Sequence, residues 1–306
     1  MKKVCVVIIN FKADFLTRDC LDSLLKVNKI NFNLEVVVVD TYPKKRTSVN
    51  PSKYKGIGLK IILTDNKGFT GGNNLGIDYA LENKADYILI LNNDTVVEEN
   101  LIANLLEGFK QKEKIGAISP KIYFEKGYEF HKDRYKESEK GKVIWYAGGI
   151  IDWENVYTKH KGVDEVDNGQ FDRIEEVGFA TGCALFTSAQ VISEMKGFDN
   201  RYFLYFEDSD LSQRLKKAGY KILFYPKAIL WHKNAGSTGG SGSSLQDYFT
   251  TRNRMIFGLK FAPLRSKIAL IRESLRLLSS GRRWQKKGIR DFYLRRFGKG
   301  TFPLKV

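Results

Sequence analysis

With 306 residues, 42% hydrophobic and 28% charged, the chain has the makeup of an ordinary globular protein: one large α/β domain with an appendage, or two domains. Its three cysteines, Cys5, Cys20 and Cys183, are odd in number and far apart, which argues against a disulfide framework or a cysteine metal site and for a reducing cytoplasm. The net charge of +16 is uneven: Leu245 to Val306 holds sixteen Lys and Arg against three Asp and Glu, so +13 of the total lies there and the first 244 residues are nearly neutral.

The N-terminus, MKKVCVVIINF, is apolar only from Val4 to Ile9. That is shorter than the roughly 7 to 15 residues of a signal h-region and far short of the ~20 needed to cross a bilayer, so a soluble or peripheral protein is expected. The first third then alternates apolar runs with helical patterns. Val4–Ile9, Leu34–Asp40, Leu59–Asn66 and Tyr87–Asp94 are continuous apolar runs ending in polar residues, as expected for strands covered on both faces. Helices are predicted around Leu21, Leu24 and Leu25 after Thr17, over Asn74–Leu81, and over Glu98–Phe109. This βαβ succession predicts a doubly wound, mostly parallel, Rossmann-like sheet.

Ligands of such sheets bind beyond the carboxyl ends of the strands. Polar residues stand at successive ends: Asn10, then Asp40, then Asn92-Asn93-Asp94. Each alone reads as a turn; their repetition predicts a ligand crevice. Between two of these ends, DNKGFTGGNNLGI (Asp65 to Ile77) packs four glycines into thirteen residues, a composition that lets backbone approach a ligand. The spacing fits neither a dinucleotide fingerprint nor a Walker loop.

Residues 124–172 form a polar excursion with an expected mobile part at 126–142, in which Trp145 and Trp153 either stack on a sugar or fill a satellite core. VGFATGCALF (Val177 to Phe186) ends in a buried strand. YFLYFEDSDLSQRL (Tyr202 to Leu215) reads as an aromatic strand followed by Glu207, Asp208 and Asp210 at a helix start, where carboxylates suit the helix dipole. Leu211, Leu215 and Ala218 share a helical stripe that Gly219 stops. Strands are expected at Tyr220–Tyr225 and Ala228–Trp231, which leaves His232 at a strand end before a Gly/Ser-rich loop.

Six blocks, in order through almost all of residues 4–260, carry a family resemblance: VVIINF (Val6 to Phe11), NKGFTGGNNLGI (Asn66 to Ile77), LNNDT (Leu91 to Thr95), GFDNRYFLYFEDSDLSQRLKKAGYKI (Gly197 to Ile222), WHKNAGST (Trp231 to Thr238) and YFTTRNR (Tyr248 to Arg254). In these the chain resembles the family 2 glycosyltransferases, and within them the rhamnosyltransferase-like branch. The resemblance implies a GT-A fold, a dTDP- or UDP-sugar donor, a divalent Mg²⁺ or Mn²⁺ ion and inversion at the anomeric carbon.

It further implies site roles. Asp94 stands where the family's D-x-D motif holds metal, with Asn92 and Asn93 in place of the preceding positions, and His232 completes the metal or diphosphate site. Asp208 is the general base, Glu207 orients it or the acceptor, and Asp210 is an alternative base or a first-turn helix carboxylate. Asn10, Asp40, Asn66, Gly68, Gly71 and Asn74 line the donor pocket with Asn92 and Asn93, and Arg252 contacts the diphosphate. Where the family has D-N-x-S, this chain has Asp40-Thr41-Tyr42-Pro43, which leaves the base and ribose contacts open.

The expected division is a catalytic domain over 1–245, with a nucleotide-sugar half to about 120 and an acceptor half beyond, and a basic helical extension over 246–306. Within the extension, Leu264 to Leu278 places Ile268, Ile271, Leu275 and Leu278 on one face with arginines elsewhere. This pattern suits an anionic membrane surface, or equally a helical cap with a solvated basic face. Enzymes resembling this one act on glycan or polyprenyl-diphosphate-linked acceptors, so a cytoplasmic protein peripheral to the inner face of the cell membrane is expected. A donor of the UDP-hexose type is the alternative within the fold. A nucleic-acid-binding module is the alternative of another class, and no nucleic acid is expected because the charge lies outside the α/β domain and no binding motif accompanies it. A processive synthase is disfavoured by the lack of spanning segments and of a Q-x-x-R-W motif.

Overall fold

A computed structural model describes residues 1–42, 47–234 and 242–304. The apolar runs become the central strands β1 (Lys2–Asn10), β2 (Phe32–Asp40), β3 (Leu59–Leu63) and β4 (Tyr87–Asn92), joined by α1 (Asp14–Leu25), a 3₁₀ segment (Pro51–Ile57) and α2 (Gly68–Glu82). Val4 to Ile8 and Val36 to Val39 are wholly inaccessible, because helices cover both faces of a parallel sheet. After β4 come β5 (Thr95–Val97), α3 (Leu101–Gly108), β6 (Ile115–Phe124), β7 (Ile144–Tyr146), the β8–β9 hairpin (Gly149–Asp152, Tyr157–His160), β10 (Glu175–Glu176) and β11 (Ala184–Ser188). The chain closes with α4 (Ala189–Glu194), α5 (Glu207–Lys217), β12 (Lys221–His232), α6 (Ser244–Phe261), α7 (Leu264–Ser280) and α8 (Arg283–Tyr293).

The main sheet runs β10-β12-β6-β11-β4-β1-β2-β3, with β5 paired to β12 and β7 to β6. Pairings among β1, β2, β3 and β4 are parallel, as is β12 with β6, whereas β11 lies antiparallel between β4 and β6. Register decides what meets at the edge. Asn10 pairs with Asp40 and Ile9 with Asn92, so three polar strand ends share one rim of the sheet.

Several elements differ from the expectation. The glycine-rich loop is the start of α2, and its glycines permit close packing: a Cβ on Gly76 would lie 2.2 Å from Val7 Cγ1. The two strands expected between Tyr220 and Trp231 are one, with a register shift between Tyr225 and Ile229 where Pro226 lacks an amide donor. The excursion at 126–142 is pinned by the buried Glu129, which accepts from the amides of Gly127 and Gly141, and by the Trp231 indole N–H on the Gly141 carbonyl.

The aromatic stretch before Glu207 is a turn, not a strand. Phe203, Tyr205 and Phe206 take φ of +68°, +69° and +70°. Such left-handed backbone is costly for bulky side chains and must be held from outside. Asn253, fully buried on α6, holds it: its Nδ2 shares its protons among the carbonyls of Tyr202, Leu204 and Tyr205 at 2.8, 2.7 and 2.9 Å. Tyr202 and Phe206 then pack with Met255, Ile256, Phe257, Leu270 and Ile289, so the C-terminal helices sit directly behind the turn.

Candidate active site

Asp94 and His232 lie 138 residues apart in sequence, and the pairing of β5 with β12, which sets Thr95 opposite His232, brings them together. His232 Nε2 is 3.0 Å from Asp94 Oδ1; both side chains are largely buried. Burial alone would lower the imidazole pKa, but the Cys183 sulfur and the Asp94 carboxylate outweigh it and push it up to about 10. The Trp145 ring sits edge-on to His232 at 4.4 Å and to His160 at 4.5 Å, walling the pair from behind. Burial pushes His160 down to about 4.

Among the described residues no group of three or more His, Cys, Asp or Glu could hold a metal by itself. One carboxylate and one imidazole fit an ion that takes its remaining ligands from substrate phosphates and water, as Mg²⁺ commonly does. The imidazole is held on one side by Asp94 and packed on another by the Trp145 ring, with Cys183 close enough to act on its charge.

The rim residues divide by role. Asp40 is buried; its Oδ1 accepts from the Tyr42 amide at 3.2 Å while Oδ2 has no hydrogen-bond partner, and burial raises its pKa above the ordinary aspartate value. An unsatisfied buried acceptor at a strand end suits a ligand N–H. Asn10 is committed locally, donating to Asp14 at 2.8 Å and accepting from Thr17 at 3.0 Å. Asn93 donates to the same Thr17 hydroxyl at 3.0 Å, and the Asn92 amide donates to the Cys183 carbonyl at 2.9 Å.

Asn66 accepts from the Gly68 amide at 2.9 Å and so turns the chain into α2. Gly68, at φ +73°, lies against the aromatic turn, where a Cβ would meet the Phe203 ring and carbonyl at 2.5 Å. Gly71 follows on α2 beside Lys67. Asn74 is a clamp rather than a free donor-pocket group: it donates to the Phe198 carbonyl at 2.9 Å and to Asn200 Oδ1 at 3.0 Å, and accepts from the Phe198 amide at 2.8 Å.

The three carboxylates after the turn have different surroundings. Asp208 is half-buried at the N-terminus of α5, with Oδ2 accepting from the Gly182 amide at 2.9 Å and Oδ1 from the Ser209 amide and hydroxyl at 2.6 and 3.0 Å. Burial raises its pKa, and these donors oppose the rise. Glu207 is only 5% exposed, its Oε2 has no hydrogen-bond partner, and burial, with Asp208 next to it, raises its pKa well above the ordinary glutamate value. Asp210 is inaccessible and saturated: Tyr202 donates to it at 3.0 Å, Arg214 at 2.7 Å and Lys260 at 2.5 Å. An inaccessible carboxylate engaged by two cations and a phenol cannot reach an acceptor hydroxyl, so of the two readings of Asp210 the geometry favours the helix carboxylate.

Arg252 does not face the crevice. It is fully buried, donating to the carbonyls of Arg201 and Tyr202 at 3.2 and 2.9 Å, with Tyr248 and Phe249 against its guanidinium. Its place on the inward face of α6 makes it a brace for the aromatic turn, which a motif alone does not reveal. Trp153 stacks on Phe257 at 5.5 Å and belongs to the core. The Gly/Ser-rich loop after His232 and Pro43 lie outside the described residues at 235–241 and 43–46.

One segment was missed as part of the site. Thr181-Gly182-Cys183 gives an amide to Asp208 and a carbonyl to Asn92, linking the carboxylate at α5 to the turn that carries Asp94. A Cβ on Gly182 would lie 3.0 Å from the Phe69 ring, so glycine suits the tight approach, and that glycine ahead of an apolar strand was the available signal.

A mostly parallel sheet with β11 antiparallel between β4 and β6 and the short strands β5, β7 and β10 antiparallel to their neighbours, with Asp94 after β4 and Glu207 and Asp208 opening α5, is the architecture of the GT-A class of glycosyltransferases. The chain belongs to the family described as glycosyltransferase like family 2, whose model matches residues 2–258. It is 28% identical over 159 residues to the N-acetylglucosaminyl-diphospho-decaprenol L-rhamnosyltransferase of Mycobacterium tuberculosis, covering 52% of this chain and 50% of that protein. It is 25% identical over 238 residues to the probable glycosyltransferase YdaM of Bacillus subtilis, covering 76% and 51%. The chain thus spans about half the length of these curated relatives. In fold it is similar to a mannosyltransferase of Pyrobaculum calidifontis solved with GDP-Man and Mn²⁺, with TM-score 0.55, 13% identity, and coverage of 95% of this chain and 74% of that one. It is also similar to TarS of S. aureus solved with UDP-GlcNAc, with TM-score 0.54, 16% identity, and coverage of 92% and 74%. Among the described residues no helix is long and apolar enough to cross a membrane.

Proposed function

We propose that the protein is a metal-dependent, inverting transferase that moves a deoxyhexose such as rhamnose from a dTDP- or UDP-sugar to a glycan or polyprenyl-diphosphate-linked acceptor, in cell-envelope or surface polysaccharide synthesis at the inner face of the membrane. The observation that carries the chemistry is Asp208: a half-buried carboxylate with a raised pKa, held by backbone amides rather than by cations. Oδ1 is filled by the two Ser209 donors, whereas Oδ2 accepts from the Gly182 amide and keeps a second lone pair, so Asp208 can take the proton of an acceptor hydroxyl there. The hydroxyl oxygen bonds to the anomeric carbon as the bond from that carbon to the nucleoside diphosphate breaks, and the electron pair leaves with the diphosphate. Glu207, whose environment favours the protonated form, donates a hydrogen bond that orients the acceptor.

Asp94 and His232 would hold Mg²⁺ or Mn²⁺, which supplies charge neutralisation for the departing diphosphate. Asp40, with its unsatisfied Oδ2, receives an N–H of the nucleobase. The deoxyhexose is supported by the likeness to the mycobacterial rhamnosyltransferase, and a UDP-hexose is the second reading, favoured by the likeness in fold to the UDP-GlcNAc-bound TarS. A panel of nucleotide sugars tested for metal-dependent protection against thermal unfolding separates them. Protection by dTDP-rhamnose above UDP-hexoses supports the proposal, and the reverse order replaces the donor.

A further inference from the structure

Helix α7 turns an apolar stripe outward. Leu264, Ile268, Ile271 and Leu275 follow one another at helical spacing and are 74%, 43%, 39% and 57% exposed, whereas Ser266, Leu270 and Ser274 on the opposite side are buried against the body of the protein. A water-exposed helix ordinarily reverses this pattern. Along the flank of the stripe run Arg265, Arg272 and Arg276, all exposed. The only acid on the helix, Glu273, is consumed by a bidentate pair with Arg254 at 2.9 Å. Ser274 Oγ lies 2.7 Å from the Tyr293 hydroxyl, which ties the buried side of α7 to α8.

We propose that this face of α7 docks on an anionic lipid bilayer, with the four aliphatic side chains entering the acyl boundary and the three arginines meeting the headgroups. This deepens the membrane placement given above. Charge complementarity selects the occupant: an apolar stripe edged by cations that make no ion pair among the described residues matches an anionic headgroup layer over a hydrocarbon floor. A second copy of the chain matches poorly, because a two-fold contact through the stripe sets the same arginines of both copies around one apolar seam. The face is also rigidly joined to the catalytic turn. Gly258 on α6 lets Leu270 of α7 approach so closely that a Cβ there would lie 2.5 Å from it, and α6 in turn holds the turn before Glu207 through Asn253. Docking α7 therefore sets the orientation of Asp208 to the bilayer surface.

The test is sedimentation of the full chain with phosphatidylcholine vesicles with and without phosphatidylglycerol, at low and high salt. Wild-type protein should sediment with the anionic vesicles at low salt and be released by high salt. The triple variant Arg265→Glu, Arg272→Glu, Arg276→Glu should lose about fivefold in partitioning per arginine, more than a hundredfold in all. The triple variant Ile268→Ser, Ile271→Ser, Leu275→Ser should lose binding too, although its charge is unchanged. All six positions are exposed or partly so, and unchanged melting temperatures show that the variants are folded. Absence of wild-type binding, or full binding by the serine variant, overturns the proposal. Concentration-dependent dimerisation that the serine variant abolishes, with no vesicle binding, also overturns it in favour of self-association. Vesicle binding is read without turnover, so its loss leaves the transfer reaction standing, and failed transfer leaves the docking face standing.

Discussion

Asp208 and Asp210 are two residues apart on one helix and differ in everything that matters for proton transfer. Asp208 meets only backbone amides and a serine hydroxyl, and its pKa is raised by burial, whereas Asp210 is locked between Arg214, Lys260 and Tyr202. Asp208→Asn should therefore lower kcat by about 10²- to 10⁴-fold, with donor affinity nearly unchanged in a titration of nucleotide binding; appreciable turnover by this variant removes the base assignment. Because the base acts ionised and its pKa lies above the ordinary aspartate value, the wild-type rate should fall as pH drops through that raised pKa, in a single protonation step. Asp210→Asn should act differently, destabilising the fold by about 3 to 5 kcal/mol because two cations lose a buried partner, as read by denaturant unfolding.

Glu207 gives a pH-linked prediction of the opposite sign. Its folded pKa is raised well above the ordinary glutamate value by burial and by Asp208, so the native state holds the proton more tightly than the unfolded chain does. That contribution is complete below the unfolded pKa and is lost as pH rises through the folded one. Glu207→Gln cannot ionise, so its stability relative to wild type should improve steadily as pH is raised from 4.5, even as transfer is impaired. Equal pH dependence in the two proteins refutes the assignment. At Asp94 and His232, the proposed metal ligands, Asp94→Ala or His232→Ala should weaken donor binding only when Mg²⁺ or Mn²⁺ is present, which isothermal titration with and without chelator would register.

At the level of elements, the strands of the parallel half were legible because each is a continuous run of Val, Ile and Leu with a polar end, and that pattern has few alternatives. The aromatic turn was not. Tyr, Phe and Leu in succession carry strand propensity, but the local conformation is imposed by Asn253 from a helix some fifty residues away, and no local signal announces that. Asn74 and Arg252 were visible as motif positions, yet their side chains brace the turn and the loop before it. The meeting of Asp94 with His232 required the antiparallel pairing of β5 on β12, a long-range fact reached from sequence only through family resemblance. Asn253→Ala should therefore behave as a positioning change. With three buried carbonyls losing their donor, stability should drop by about 2 kcal/mol or more, and kcat should fall more than KM rises because Asp208 is aimed by the turn.

At the scale of the whole molecule, the basic C-terminal segment is a helical cap on one side, and its outward side is the face proposed above for membrane docking. One side is structural. Tyr248 on α6 donates to Asp291 on α8, Thr301 donates to the same carboxylate at 2.6 Å, and Ile289 and Leu270 close over Met255 and Ile256. A division at 246 therefore cuts through a packed unit, since α6 begins at Ser244 and carries the residues that hold the turn before Glu207. Removing residues 283–306 should expose Tyr248, Arg252 and Ile256, leave the Arg252 guanidinium without its cover, and lower the melting temperature by several degrees or more. For a domain of this size each kcal/mol corresponds to roughly 2 to 4 °C. Transfer to a short water-soluble acceptor should be lost with the fold, whereas the arginine and serine variants of α7 should retain both melting temperature and that activity. A truncated protein that melts and turns over like the full chain would show that the cap is dispensable and that Asn253 alone suffices to hold the turn.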